Sequence, residues 1–398
     1  MNQPLLLHIV ERLEGFLGRL PAAIQKPILH ELTPLKELFL QQRAPRFVVT
    51  GSNKIALGDF VALIFGSAPS TESRDILFEL YRWQILNPSD RGEIKLLDAR
   101  GADESAAGKV HEELKREPAD IFFYVDLGST KRSMREDELT QLSAFLARND
   151  AARPDAKVIG IAIDDSTGTR TRAKNANQSG SDASAKLRAT LDEEKGLRDR
   201  ILDVIAFRLG RKAAEEAIPS PESIALVSLL ARNVPNEARV EMIRISGDRD
   251  AQREVAQVLV KSTTAICTAV GTQPIPLADL PILTTLQLVM VSGIMYISGR
   301  ERSLRAATEF IGALGANVGA GMLLREGTRA VLKFFPGWGN LVCGMVAGAG
   351  TYGIGKAATA YFLEGASLKD ARRTYVKSRK KPDRPLRQAR IAMPKGKK

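Results

Sequence analysis

The sequence predicts an α/β domain built on a doubly wound, mostly parallel sheet, followed by an all-α domain rich in glycine. Three observations carry this expectation. Between residues 46 and 164 four short runs are apolar almost throughout and alternate with helix-like segments, as strands do when helices cover both faces of a parallel sheet. After Pro219 the strand patterns stop and helical spacing takes over. From about residue 280 to 363 the apolar segments are crowded with glycine.

The elements follow in order. Residues 1–45 form an amphipathic helical lead-in, with Leu6, Ile9, Val10, Leu13, Phe16, Leu17 and Leu20 at helical spacing, then a second apolar set at Leu32, Leu35, Leu38 and Leu40. Pro45 closes it. Residues 46–235 form the α/β domain: strands at 46–50, 93–98, 120–126 and 157–164, a weaker one at 203–207, and helices near 59–65, 106–116 and 136–148. Residues 166–185, STGTRTRAKNANQSGSDASA, read as a polar, mobile loop. Helices are expected over 221–232 and from Arg239 to about Val270. Residues 236–365 form the helical domain, and residues 366–398 a basic, disordered tail.

Charge sharpens this division. The chain has 58 Lys/Arg and 46 Asp/Glu, a net +12, yet residues 366–398 alone hold 13 Lys/Arg against Asp370 and Asp383. The folded body is therefore close to neutral, and the basic character belongs to the tail. Cys267 and Cys343 stand apart in apolar stretches with no cysteine at metal spacing, which fits a reducing compartment. The first residues, MNQPLLLHIVERLEG, lack a basic start and an unbroken apolar run, so a cleaved signal peptide is not expected. His8, His30 and His111 fall in separate helical segments, and no Ser-His-Asp grouping, H-E-x-x-H or cysteine nucleophile is present. Apart from nucleotide hydrolysis, enzyme chemistry has no support in these residues.

One loop has the placement of a phosphate site. Such a loop needs a strand, a glycine-rich turn and a helix whose first amides face the anion, with Lys on the outer phosphates and Ser/Thr on magnesium. Here the strand at 47–50 runs into Gly51-Ser-Asn-Lys-Ile-Ala-Leu-Gly58. In the frame G-x-x-x-x-G-K-[ST], Gly51 keeps the first position, while Ala56, Leu57 and Gly58 stand in place of Gly, Lys and Ser/Thr. Asp98-Ala-Arg-Gly101, at the end of the next apolar strand, has the D-x-x-G form that contacts magnesium through water and senses a γ-phosphate by a glycine amide. The base-reading N-K-x-D should follow the strand at 157–163, where Ala162, Ile163, Asp164 and Asp165 align, leaving Asp165 as the only candidate.

The order of strand, loop, Asp98–Gly101 element and later strands, with the lead-in QKPILHELTPLKELFLQQRAPRFVVTG, resembles the Era-like branch of translation-factor-related P-loop GTPases over roughly residues 20–235. The resemblance implies a GTPase-like sheet and a degenerate nucleotide site of Gly51, Lys54, Gly58, Asp98, Gly101 and Asp165, with GTP and Mg2+ bound weakly or not at all. A doubly wound domain unrelated to GTPases is the alternative on the same residues.

The C-terminal half carries a second resemblance. Gln273-Pro-Ile-Pro-Leu-Ala-Asp-Leu-Pro-Ile-Leu-Thr-Thr-Leu-Gln287 and the stretch from Phe335-Pro-Gly-Trp-Gly-Asn to Tyr361-Phe are similar to a family of uncharacterised bacterial helical domains found after GTPase domains. Residues 280–299 and 334–355 are free of charge for 20 and 22 residues. Each reaches the length of a membrane span, although Pro281, Gln287, Asn340 and seven glycines in the second dilute the apolar character. Gly344-x-x-x-Gly348 and Gly315-x-x-x-Gly319 would let helices approach closely, in lipid or in a soluble bundle. In either setting leucine at Gly348 should overpack, and alanine should be mild.

Together these readings lead to a GTPase-like regulatory or scaffolding protein on the cytoplasmic side of the inner membrane, peripherally or integrally associated, with hydrolysis not expected. Arg372, Arg373, Lys377, Arg379, Lys380 and Lys381 would contact an anionic membrane surface or another anion. A homo-oligomer or protein partner is compatible with this. The rival expectations are an active GTPase that uses Lys54 for the missing lysine, and a ribosome- or RNA-associated factor that works through the tail.

Overall fold

The computed structural model describes residues 29, 32–33, 35–66, 80–88, 91–127, 132–154, 156–164, 173–194, 196–208, 219–271, 279–315 and 338–380. The chain divides into two compact units, Arg43–Ser246 and a second made of Met1–Gln42 with Gly247–Lys398.

Arg43–Ser246 is a mostly parallel, doubly wound α/β unit. Its strands are β1 (Arg46–Gly51), β2 (Trp83–Leu86), β3 (Ile94–Asp98), β4 (Ile121–Leu127), β5 (Lys157–Asp164) and β6 (Ile201–Arg208), in spatial order β2-β3-β1-β4-β5-β6. Only β2, at the edge, runs antiparallel. The helices are α1 (Leu57–Phe65), α2 (Glu104–Arg116), α3 (Arg132–Asp150), α4 (Ala173–Glu193), α5 (Pro221–Asn233) and α6 (Asn236–Ser246).

Alternation along the strands sorts side chains to two cores. On one face the Phe47 ring packs tilted against Phe123 at 5.4 Å, and Phe123 meets Phe60 of α1 edge-on at 5.9 Å. On the other, Val48, Phe122 and Tyr124 join Val110 and Leu114 of α2 and Leu142 and Phe145 of α3. His111 lies on α2 with its ring 5.3 Å from Phe145, a packing role. Burial on both faces explains why β1, β3, β4 and β5 are apolar nearly throughout.

The amino-terminal edge of the sheet is tied by charge. The fully buried Asp120 carboxylate accepts two bonds from Arg43, at 2.8 and 2.6 Å, one from the Arg46 amide at 2.9 Å, and one from Arg153. Glu117 pairs with Lys95 at 2.6 Å and Arg46 at 3.2 Å. Burial raises the Glu117 carboxyl, and its Lys95 bond and the Arg46 charge outweigh that and hold it below the ordinary range. Asp120 is thus the anchor of the β4 entry.

Three expectations in this unit are corrected. The polar run expected as a loop over 166–185 is helix α4 from Ala173 onward. Alanine, lysine and arginine are good helix formers, and Leu187 and Leu191 bury where α4 lies on β5. The edge strand β2 was not expected, because only Leu86 of its four residues is buried and Gln84 interrupts the apolar positions. The long helix expected from Arg239 is broken at Gly247 into α6 and α7 (Arg249–Gly271). There the Asp248 carboxylate accepts from the amides of Asp250 and Ala251, at 2.9 and 3.1 Å, and caps α7.

The second unit is helical. After a π-helical turn at Lys36–Leu40 in its amino-terminal part, it consists of α7, α8 (Asp279–Ile297), α9 (Leu304–Gly315), α10 (Trp338–Ala358, continuing as a π-helical turn Thr359–Leu363) and α11 (Leu368–Lys380). The glycines of α10 decide its packing. A Cβ at Gly348 would fall on the Thr268 hydroxyl of α7, and one at Gly355 would lie 2.6 Å from Val260. Seven residues apart, the two share one face. A Cβ at Gly353 would come within 2.9 Å of the Tyr375 ring on α11. Gly315 differs from expectation, since nothing described lies within 4 Å of its missing Cβ, while Gly319 falls outside the described residues.

Alanine at Gly348 is therefore not the mild change expected from helix spacing. Thr268 is held in place by its own bond to the Thr264 carbonyl at 2.7 Å. Burial pushes the neighbouring Cys267 thiol up to about 12, against a hydrogen bond with Thr351, so it is no nucleophile near neutral pH.

The expected integral association with the inner membrane is also corrected. Among the described residues no helix is long and apolar enough to cross a membrane. Freedom from charge was the wrong measure. α8 carries Thr284, Thr285, Gln287 and Ser292, and α10 gains little hydropathy from its glycines. These polar groups also serve the bundle: the Gln287 amide donates to the Thr351 hydroxyl at 2.9 Å.

The tail differs too. Its first part is helix α11 rather than disordered chain, held by buried Ala371 and Tyr375 and by Arg372 Nε donating to the Ala313 carbonyl at 2.7 Å. Lys381 and the residues after it lie outside the described residues.

Candidate functional site

In a doubly wound sheet, ligands gather beyond the carboxyl ends of the strands where the strand order reverses, here beside β1. Two loops meet there. The first leaves β1 at Gly51, whose φ is +87° and whose missing Cβ would collide with the Val125 carbonyl oxygen of β4. Only glycine fits that approach. Ser52 then donates its amide to the same carbonyl at 2.8 Å, and five residues later α1 begins at Leu57. Ala56, at the cap, provides no side-chain bond.

The second loop follows β3. Gly101, at φ +64°, packs so closely on the Asn53 side chain that a Cβ would collide with its amide nitrogen. Tyr81 borders this loop, donating its hydroxyl to the Gly101 carbonyl at 3.3 Å and its amide to the Asp98 carbonyl at 3.3 Å. Its φ of 65° is a left-handed conformation that a bulky residue seldom adopts. Burial, with Asp103 and Asp98 nearby, raises its phenol above the ordinary value.

Between the loops stands Arg100. Its guanidinium grips Asp98 bidentately, Nε to Oδ1 and Nη2 to Oδ2, both at 2.8 Å, and its Nη1 donates to the Ile55 carbonyl of the first loop, also at 2.8 Å. Arg100 and Asp98 are each about 5% exposed, and the guanidinium carbon lies 5.8 Å from the Phe60 ring centre. An internal cation thus neutralises the carboxylate assigned to magnesium and ties it to the loop assigned to phosphate.

The expected site residues separate accordingly. Gly51, Asp98 and Gly101 are brought together with Asn53 and Ile55. Gly58 lies within the first turn of α1 with nothing within 4 Å of its missing Cβ. Lys54 is exposed. Its charge opposes the rise of the Glu138 carboxyl of α3. Asp165 lies outside the described residues, and Ala162 and Ile163 are buried in β5.

A second polar group lies at the end of β4. The Tyr124 hydroxyl donates to Glu138 Oε2 at 3.1 Å, and Arg135 donates to Asp126 at 3.1 and 3.0 Å. Burial is the main cause that raises the Glu138 carboxyl; Asp126 adds to it, while the Tyr124 bond, Arg135 and Lys54 oppose it.

A bound GTP with Mg2+ does not fit these residues. The Leu57 side chain has no donor for a phosphate, the Gly58 position has no side-chain oxygen for magnesium, and both oxygens of the Asp98 carboxylate are already bonded to Arg100. Sequence reasoning missed Arg100, although it sits inside the D-x-x-G element. An arginine two residues after a buried strand-end aspartate was the available signal. No family model matches the chain, and no curated protein matches it.

Proposed function

We propose that residues 43–246 are a GTPase-like module with a degenerate nucleotide site, held in one conformation by Arg100 and acting as a regulatory or scaffolding element without turnover. The observation that carries this is the bidentate Arg100–Asp98 pair with its third bond to the Ile55 carbonyl. In nucleotide-dependent switches the magnesium and γ-phosphate order the loops after these strands. A guanidinium in contact with both loops performs the ordering part of that task with no ligand. The antiparallel β2 beside β3, and the strand-loop-helix passage at β1, support the GTPase-like origin of the sheet.

Titration of the full chain with GTP, with and without magnesium, tests the proposal. The expected outcome is no magnesium-dependent binding in the micromolar range and no phosphate release. Micromolar, magnesium-dependent affinity would overturn it. If that affinity were also lost in Lys54→Ala, the rival reading of an active site built on Lys54 would replace it.

A further inference from the structure

We propose that the outward face of α11 binds the phosphate backbone of a single-stranded nucleic acid, independently of the GTPase-like site. The argument begins with the distribution of side chains around the helix. At 100° per residue, Ala371 and Tyr375 define one face, and both are buried, with the Tyr375 ring against Gly353 of α10. Lys369, Arg373, Val376 and Lys377 project on the opposite side, and all four are exposed. Six Lys/Arg and one Asp make up the charges of α11, while the rest of the chain before it is close to neutral.

The packing decides what kind of polyanion fits. An interfacial membrane helix needs a free apolar face to bury among acyl chains. In α11 that face is already occupied by α10, leaving Val376, 48% exposed, as the one apolar side chain on the outward side. A helix reading duplex DNA enters a groove about 12 Å wide, which a helix of about 10–12 Å diameter fills. With α9 and α10 packed along it, α11 offers a duplex only its outward face. What remains accessible is a line of cations, Lys369, Arg373 and Lys377, four residues or about 6 Å apart. A flexible strand can bring successive phosphates to that line. Since the contacts go to phosphate, they ignore base and sugar.

The test uses the full chain and fluorescence anisotropy with a labelled 20-nucleotide oligo(U), its deoxy counterpart and a duplex of equal length, across a salt series. Vesicles of phosphatidylcholine with phosphatidylserine, and polyglutamate as competitor, form the other arms. Lys369→Glu/Arg373→Glu/Lys377→Glu is compared with Lys109→Glu/Lys115→Glu/Lys186→Glu, which makes the same charge change at exposed positions off α11. Far-UV circular dichroism checks that both fold.

The ribo and deoxy strands should bind alike, within about threefold. The α11 variant should lose about 30-fold or more at 0.15 M salt, with a salt slope lower by about 2, since each single-strand phosphate contact contributes about 0.7. The control variant should lose less than about threefold, and Lys369→Gln/Arg373→Gln/Lys377→Gln should fall between. Equal losses in both charge-reversed variants would overturn the proposal by assigning the attraction to net charge. Preference for the duplex, displacement by polyglutamate at equal charge, or binding to vesicles without binding to strands would each overturn it as well.

Discussion

The two units fill their interiors by opposite means. In Arg43–Ser246, the place where a doubly wound sheet receives a ligand is taken by an arginine, and the loops around it are joined by that side chain. In the helical unit, α10 approaches α7 and α11 because side chains are missing at Gly348, Gly353 and Gly355. One interior depends on a charge that is present, the other on atoms that are absent. Loss should therefore damage the first, and gain should damage the second.

The largest effect is expected at Arg100. Arg100→Ala leaves the buried Asp98 carboxylate without its partner, which typically costs about 3–5 kcal/mol. The chain has two tryptophans, Trp83 in the sheet unit and Trp338 in α10. Denaturation followed by Trp83 emission in a Trp338→Phe background reports the sheet unit. The double variant Arg100→Met/Asp98→Asn should recover much of the loss, because no uncompensated charge remains. A loss below about 1 kcal/mol in Arg100→Ala would mean that water or a solution ion replaces the guanidinium easily, and the contrast between the units would fail.

An effect of about 1–3 kcal/mol is expected from Gly348→Leu, the scale of overpacking, read from Trp338 emission in a Trp83→Phe background. Gly348→Ala should also destabilise, because its methyl meets a Thr268 hydroxyl that is already bonded. Gly350, two residues along the same helix, has nothing within 4 Å of its missing Cβ. There Gly350→Ala should stabilise by about 0.5–1 kcal/mol through helix propensity alone. Opposite signs at 348 and 350 are the sharpest form of the comparison; stabilisation at both would show that propensity, not contact, governs α10.

How much of this could be read from sequence follows from the same physics. The four inner strands were legible because burial on both faces leaves an apolar run, as at 121–127. β2 was not, since an edge strand with Ile85 57% exposed has no such run. Gly51 and Asp98 were legible as a loop-and-strand-end pair, while Arg100 was passed over because an arginine beside a polar turn reads as solvated. Its burial depends on Phe60 and Ile55, which are distant in sequence. Spacing pointed to Gly348 as a contact and misjudged Gly315, because a small-residue period shows which face could approach but not whether a neighbour is there. For α11, composition suggested a solvated tail, and only the placement of Tyr375 against Gly353 reveals a packed helix.

The smallest effect is at Glu138, where a present charge is a cost rather than a support. Burial holds its carboxyl above the ordinary range despite the Tyr124 bond and the nearby Arg135 and Lys54 charges. For an acid with a raised folded pKa, ionisation is harder in the folded chain than in the unfolded one. The resulting loss of stability is present above the folded pKa and vanishes below the unfolded value of about 4.3. Glu138→Gln should therefore stabilise the sheet unit at pH 8, by less than about 1 kcal/mol, with the gain fading as pH falls toward 4. Lys54→Ala should enlarge that gain, because it removes a cation that eases ionisation. Trp83 emission through a pH series of denaturation curves measures both. If Glu138→Gln instead destabilises at pH 8, the bond from Tyr124 to the charged carboxylate outweighs burial, and the end of β4 is held by charge in the same way as the end of β3.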